Sequence, residues 1–106
     1  MTDSQVIAWI FFSTSLASEH EPVNFESISQ VADGVNHAVP THKELQTSLS
    51  WLTNHRLVEQ TGKKYSLTNE GTELIEEAKS RTNNIILNIW DELTKEIEKT
   101  KAQQML

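Results

Sequence analysis

Residues 6–12, Val-Ile-Ala-Trp-Ile-Phe-Phe, are apolar without interruption. Whatever this chain folds into must cover that run on more than one side. Just upstream, Thr2-Asp3-Ser4-Gln5 has the form of a capping box, with Thr2 accepting from a first-turn N–H and Gln5 reaching back. Val6, Ile7, Ile10, Phe11, Thr14 and Ala17 recur at helical spacing, and Trp9 and Phe12 widen the apolar arc. A helix from about Asp3 to Ser18 is expected. Its breadth has two explanations: it is the central helix of the core, or part of it meets a second subunit. A secretory signal would carry a basic residue where Asp3 stands. The run is also too short to span a bilayer. The expected setting is the cytoplasm, with no membrane partner.

At 106 residues the chain has room for one domain and not for two. It has no cysteine, hence no disulfide framework, thiolate metal site or cysteine nucleophile. After a polar loop over 19–23, ending in a one- or two-residue strand, Asn24 caps a second helix with Phe25, Ile28, Val31, Ala32 and Val35 on its buried face. Gly34 lies near the end of that helix, and Pro40 stops any continuation. Thr41-His42-Lys43-Glu44 is a second capping box. Leu45, Leu49 and Leu52 then form one apolar stripe on a helix of about Thr41 to His55, which leaves its polar residues for the exposed face. Arg56–Gln60 and Tyr65–Thr68 read as two strands joined by a Gly-bearing turn with both Lys63 and Lys64 at its tip.

From Asn69 onward the pattern is helical. One continuous helix of about 35 residues would be about 50 Å long, against a diameter near 33 Å for a domain of this size. The polar run Lys79–Asn84 is the expected bend. Beyond it, from about Asn83 to Gln103, Ile85, Ile89, Trp90, Leu93 and Ile97 need a partner surface, either the first helix or a second chain.

The net charge of −6 is unevenly spread. Residues 1–40 carry −5 and residues 69–106 carry −3, while residues 41–68 carry +2 from Lys43, Arg56, Lys63 and Lys64 against Glu44 and Glu59. The only positive segment thus coincides with the third helix and the hairpin. That is a modest version of the basic patch a nucleic-acid binder shows.

The order helix, helix, turn, helix, two-stranded hairpin, helix is that of a winged helix-turn-helix domain. Pro40-Thr41-His42-Lys43-Glu44-Leu45, then Leu49-Ser50-Trp51-Leu52, then Arg56-Leu57-Val58-Glu59 resembles the recognition helix and first wing strand of that superfamily. Lys63-Lys64-Tyr65-Ser66-Leu67-Thr68-Asn69-Glu70-Gly71 resembles its second wing strand and the Leu-Thr-x-x-Gly that leads into the next helix. The resemblance covers about half the chain, Phe25 to Ala78. By arrangement alone, the flanking helices are similar to the dimerisation helices of small bacterial regulators of the PadR and MarR type. It implies a mainly α fold with a small β-hairpin wing: an N-terminal helix (1–20), a winged helix-turn-helix core (24–79) and a C-terminal dimerisation helix (80–106). Leu57 and Leu67 would anchor the hairpin, Tyr65 would cover it, Thr68 would cap the next helix, and Gly71 would allow close packing. One departure is Arg56, where such domains often carry glycine in a left-handed helix end. Either the helix ends differently, with Asn54 as the alternative, or Arg56 takes the strained conformation.

The resemblance implies a homodimeric DNA-binding regulator of transcription. Thr41, His42, Lys43, Gln46, Thr47, Ser50 and Asn54 would meet the major groove, while Arg56, Lys63 and Lys64 would touch phosphate. Trp9, Phe12, Ile85, Ile86, Ile89, Trp90, Leu93 and Ile97 would form the dimer interface. The competing reading is a winged helix that binds protein and not DNA, which the acidic composition favours. A small-molecule effector would need a cavity between the first and last helices, and no residue identifies one. His20, His37, His42 and His55 lack metal-ligand spacing. Neither a phosphate loop nor a nucleophile elbow is present, so no metal, cofactor or enzymatic activity is expected. Glu76-Glu77 and Asp91-Glu92 read as solvated helix faces.

Overall fold

The computed structural model describes residues 1–104; the last two residues of the expected 80–106 helix lie outside them. Helix α1 (Asp3–Ala17) is the central element and touches every other helix. Its capping box forms as expected, with Gln5 N donating to Thr2 Oγ1 at 3.1 Å and Thr2 N to Gln5 Oε1 at 2.7 Å. Ile7 through Thr14 are all buried. Ser13 and Thr14 can be buried because their hydroxyls donate to Trp9 O and Ile10 O, each at 2.7 Å; a buried polar group without such a partner would be costly.

Helix α2 (Phe25–Asn36) is capped by Asn24 and ends at His37, which takes the left-handed conformation at φ 55°. The helix therefore runs through Gly34 and stops later, on a histidine. Helix α3 (His42–Asn54) carries the second capping box and lays Leu45, Leu49 and Leu52 into the core. Strands β1 (Val58–Thr61) and β2 (Lys64–Leu67) pair antiparallel, Val58 with Leu67 and Thr61 with Lys64. The loop is two residues long, with Gly62 at φ 62° in its first position, where positive φ favours glycine. Thr61 and Lys64, expected in the turn, belong to the ladder. Val23 supplies the short strand anticipated after Pro22: it exchanges backbone hydrogen bonds with Tyr65 at 2.7 and 2.9 Å, so β2 is paired on both edges.

Arg56 settles the alternatives at the end of α3. It stands at φ 60°, and two backbone bonds close the helix, Arg56 N to Thr53 O at 3.1 Å and Leu57 N to Leu52 O at 3.0 Å. This is the Schellman arrangement with arginine in the place glycine favours, while Asn54 stays helical. The next joint is equally tight. Thr68 Oγ1 accepts from Gly71 N at 3.0 Å and donates to Arg56 O at 2.6 Å. A Cβ on Gly71 would lie 2.0 Å from Leu57 O, so only glycine fits.

Helix α4 (Asn69–Ser80) and helix α5 (Ile86–Gln104) are separated by the expected bend, with Asn84 left-handed at φ 61°. The bend folds α5 back along α1 and holds the extents to 31 × 31 × 26 Å. Arg81 braces the elbow, with Nη1 2.8 Å from Glu96 and 3.8 Å from Glu92, and Nη2 3.5 Å from Glu77. The Arg81 hydrogen bond holds the Glu96 carboxyl below its usual range and raises the guanidinium further. No helix among the described residues is long and apolar enough to cross a membrane.

This packing corrects the expected dimer interface. Trp9, Phe12, Ile89, Leu93 and Ile97 are buried within the single chain, because α5 lies on α1. The Trp9 indole donates to Ala32 O at 2.9 Å, and its ring stacks on Trp90 with centroids 6.2 Å apart. Trp90 is half-buried and donates to Gln5 O at 2.8 Å. Only Ile85 and Ile86 of the remainder are open, at 51% and 45% exposure, and Leu87 joins them at 64%. Of the two explanations for the breadth of α1, the central core helix accounts for the buried run Ile7–Thr14, while Val6, Leu16 and Ala17 are only partly buried.

Candidate nucleic-acid interface

The leucine stripe of α3 fixes which way its other residues face. With Leu45, Leu49 and Leu52 buried, Lys43, Gln46, Thr47, Ser50 and Asn54 stand exposed along the opposite ridge, and Thr41 and His42 are exposed at its N-terminal end. Arg56 is exposed just past the other end, and Lys63 and Lys64 are exposed at the hairpin tip. Every residue expected at a DNA surface is therefore accessible.

Each flank of the ridge is different. On one side His42 lies against Phe25 with ring centroids 5.4 Å apart, and Phe25 stacks on Tyr65 at 5.5 Å. A hollow of about 350 Å³ opens beside these rings, lined by Asn24, Phe25, Glu26, Gln60, Lys63 and Tyr65. Burial raises the Tyr65 phenol, which keeps it neutral. Gln60 Nε2 donates to Gly62 O at 2.8 Å and props the hairpin loop. On the other side, a groove of about 530 Å³ runs between α3, the start of α1 and the end of α5, with Lys43, Thr47 and Trp51 on the α3 wall. Trp51, off the leucine stripe, stacks on His55 with centroids 3.8 Å apart, and the His55 Nδ1 lies 2.7 Å from Trp51 O.

The charges sort into two kinds. Among the described residues, Lys79, Arg81, Lys95 and Lys99 all lie within 4.0 Å of a carboxylate, whereas Lys43, Arg56, Lys63, Lys64 and Lys101 form no ion pair. Unpaired cations meet an incoming polyanion without first releasing an internal partner. Glu44, the one acid on α3, is engaged: its carboxylate accepts from Thr41 N at 2.8 Å.

Asp3 and Lys101 share the second groove with Lys43. Sequence reasoning missed both, since no local spacing links the two ends of a chain to its middle. No group of three or more His, Asp or Glu residues among the described residues is placed to hold a metal ion. Compared with protein-family models, with curated proteins and with solved structures, this chain matches none.

Proposed function

We propose that this protein is a winged helix-turn-helix regulator that binds double-stranded DNA as a homodimer. In this reading α2 and α3 form the helix-turn-helix, the β1–β2 hairpin is the wing, and the ridge of α3 enters the major groove. Gln46 is the best equipped to pair with an adenine edge, with Thr47 and Ser50 beside it. Lys63, Lys64 and Arg56 hold phosphate. The observation that carries the reading is that the cations of the ridge and hairpin are exposed and unpaired. The acidic remainder of the surface restrains non-specific binding, because it repels phosphate away from that face. The second copy would meet the first at the exposed Ile85-Ile86-Leu87 strip. No step of chemistry is assigned, and the role is binding.

The test is titration of the whole chain with mixed-sequence duplex DNA at two salt concentrations, alongside sedimentation of the free protein. Counterion release is worth about eightfold in affinity per phosphate at 0.1 M salt, from a slope of about −0.9. Lys63→Glu with Lys64→Glu is expected to cost about 60-fold per copy and to flatten the salt dependence. Absence of binding at low salt, or a double variant indistinguishable from the parent, refutes DNA binding. A monomer at all concentrations refutes the dimer.

The exposed Ile85-Ile86-Leu87 strip also favours a second reading, an interaction module for another protein. That reading gains if the chain binds no DNA yet Leu87→Glu abolishes a co-purifying partner.

A further inference from the structure

The last turn of α5 reaches α3. There Gln104 contacts the His55 imidazole, which is stacked on Trp51. Lys101 precedes Gln104 by three residues, so the two share one side of α5. Lys101 lines the groove whose opposite wall carries Lys43 and Thr47. It is partly exposed, and it forms no ion pair with Glu98 or with any other described carboxylate.

A helix seated in the major groove, about 12 Å wide, has a phosphate strand on each side. The hairpin lies on the flank of α3 that bears His42 and Phe25. The other flank, with Thr47 and Trp51, receives no cation from the hairpin. The cations there are Lys43, on α3 itself, and Lys101, from the opposite end of the chain. We propose that Lys101 is a phosphate contact for the DNA strand opposite the one held by the hairpin, so that α3 is gripped from both flanks. This rests on the DNA-binding reading.

Two carboxylates also line the groove, those of Asp3 and Glu44. Glu44 is tied to the start of α3 through Thr41 N. Asp3 sits in the first turn of α1, where the helix N-terminus stabilises it, and forms no ion pair among the described residues. It therefore opposes phosphate at this flank. Removing its charge acts in the opposite direction to removing that of Lys101, which a purely structural role for either residue does not predict.

The experiment is a salt series with the full chain and a mixed-sequence duplex longer than two helical turns, with circular dichroism to verify folding. Lys101→Glu is expected to weaken binding by at least about eightfold per copy at 0.1 M salt and to lower the salt slope by about 0.9. Lys101→Gln should show a smaller loss in the same direction, Lys101→Arg should bind like the parent, and Asp3→Asn should bind more tightly. If both Lys101→Glu and Lys101→Gln keep the parental affinity and slope while Lys63→Glu with Lys64→Glu lowers them, the second grip is wrong and the DNA-binding reading stands. If the parent shows no salt-dependent affinity, both fail.

Discussion

Two sets of cations in this chain face opposite tasks. Along α4, its C-cap and α5, every paired base has an acid three or four residues before it: Glu76 with Lys79, Glu77 with Arg81, Asp91 with Lys95, Glu96 with Lys99. Arg81 adds bonds across the elbow to Glu92 and Glu96. Lys43 has Val39 and Pro40 before it and Gln46 and Thr47 after it at the same spacings, so its helix offers no neutralising partner. The first set is satisfied internally and shapes the fold. The second set has no carboxylate partner among the described residues. Spacing alone does not decide this, since Lys101 has Glu98 three residues before it on α5 and forms no ion pair among the described residues.

The strongest way to break this comparison is at the joint between the two regions. Gly71→Ala would drive a Cβ to 2.0 Å from Leu57 O. It is expected to destabilise the protein by about 3 kcal/mol, seen as a Tm lower by more than about 10 °C. Unchanged melting would mean that the hairpin root and α4 are not locked together. A sharper separation of stability from binding comes from Arg56→Gly. Glycine removes the cost of φ 60° and should raise stability by about 1 kcal/mol. The lost cation should at the same time weaken DNA binding by about eightfold at 0.1 M salt. Opposite signs from one substitution are the signature of an available cation, and a fall in both quantities would make Arg56 structural.

The smallest effect belongs to the internally satisfied set. Glu96→Gln removes the charge facing Arg81 while keeping a neutral amide acceptor, and should cost less than about 1 kcal/mol, since the pair is partly exposed and screened. DNA affinity should not fall with it. Because Arg81 holds the Glu96 carboxyl below its usual range, its contribution to stability is full above the ordinary glutamate range. It is lost as pH falls through the lowered value. Acid melting of the parent should therefore show a stability loss that Glu96→Gln lacks. Equal acid sensitivity in the two would discount the Arg81 brace.

Much of the fold was legible because its signals are local. Capping boxes at Thr2 and Thr41, the Asn24 cap, the leucine stripe of α3, the hairpin and the need for a bend after α4 all follow from residues within a few positions of one another. The end of α2 was legible only to within a turn: Gly34 lies two residues before it, as its position suggested, but the left-handed residue that closes the helix is His37. Arg56 left two outcomes open, and the Schellman bonds decided between them. The exposed ridge of α3 follows from periodicity, but the groove beside it does not, because Asp3, Lys43 and Lys101 come from three distant parts of the chain.

The apolar surplus of Val6–Phe12 and of Ile89–Ile97 was evident from composition at helical spacing. What would absorb it was not, because an apolar stripe has no preference between its own chain and another. The fold back at Asn84 decided that in favour of α1, burying Trp9, Phe12, Leu93 and Ile97 within one molecule and leaving Ile85, Ile86 and Leu87 outside. Periodicity and capping act over one or two helical turns, so the sequence by itself determined which elements form and which face of each is apolar. Which faces meet depends on chain direction through the loops and on closure between distant segments, and those only the tertiary structure decided.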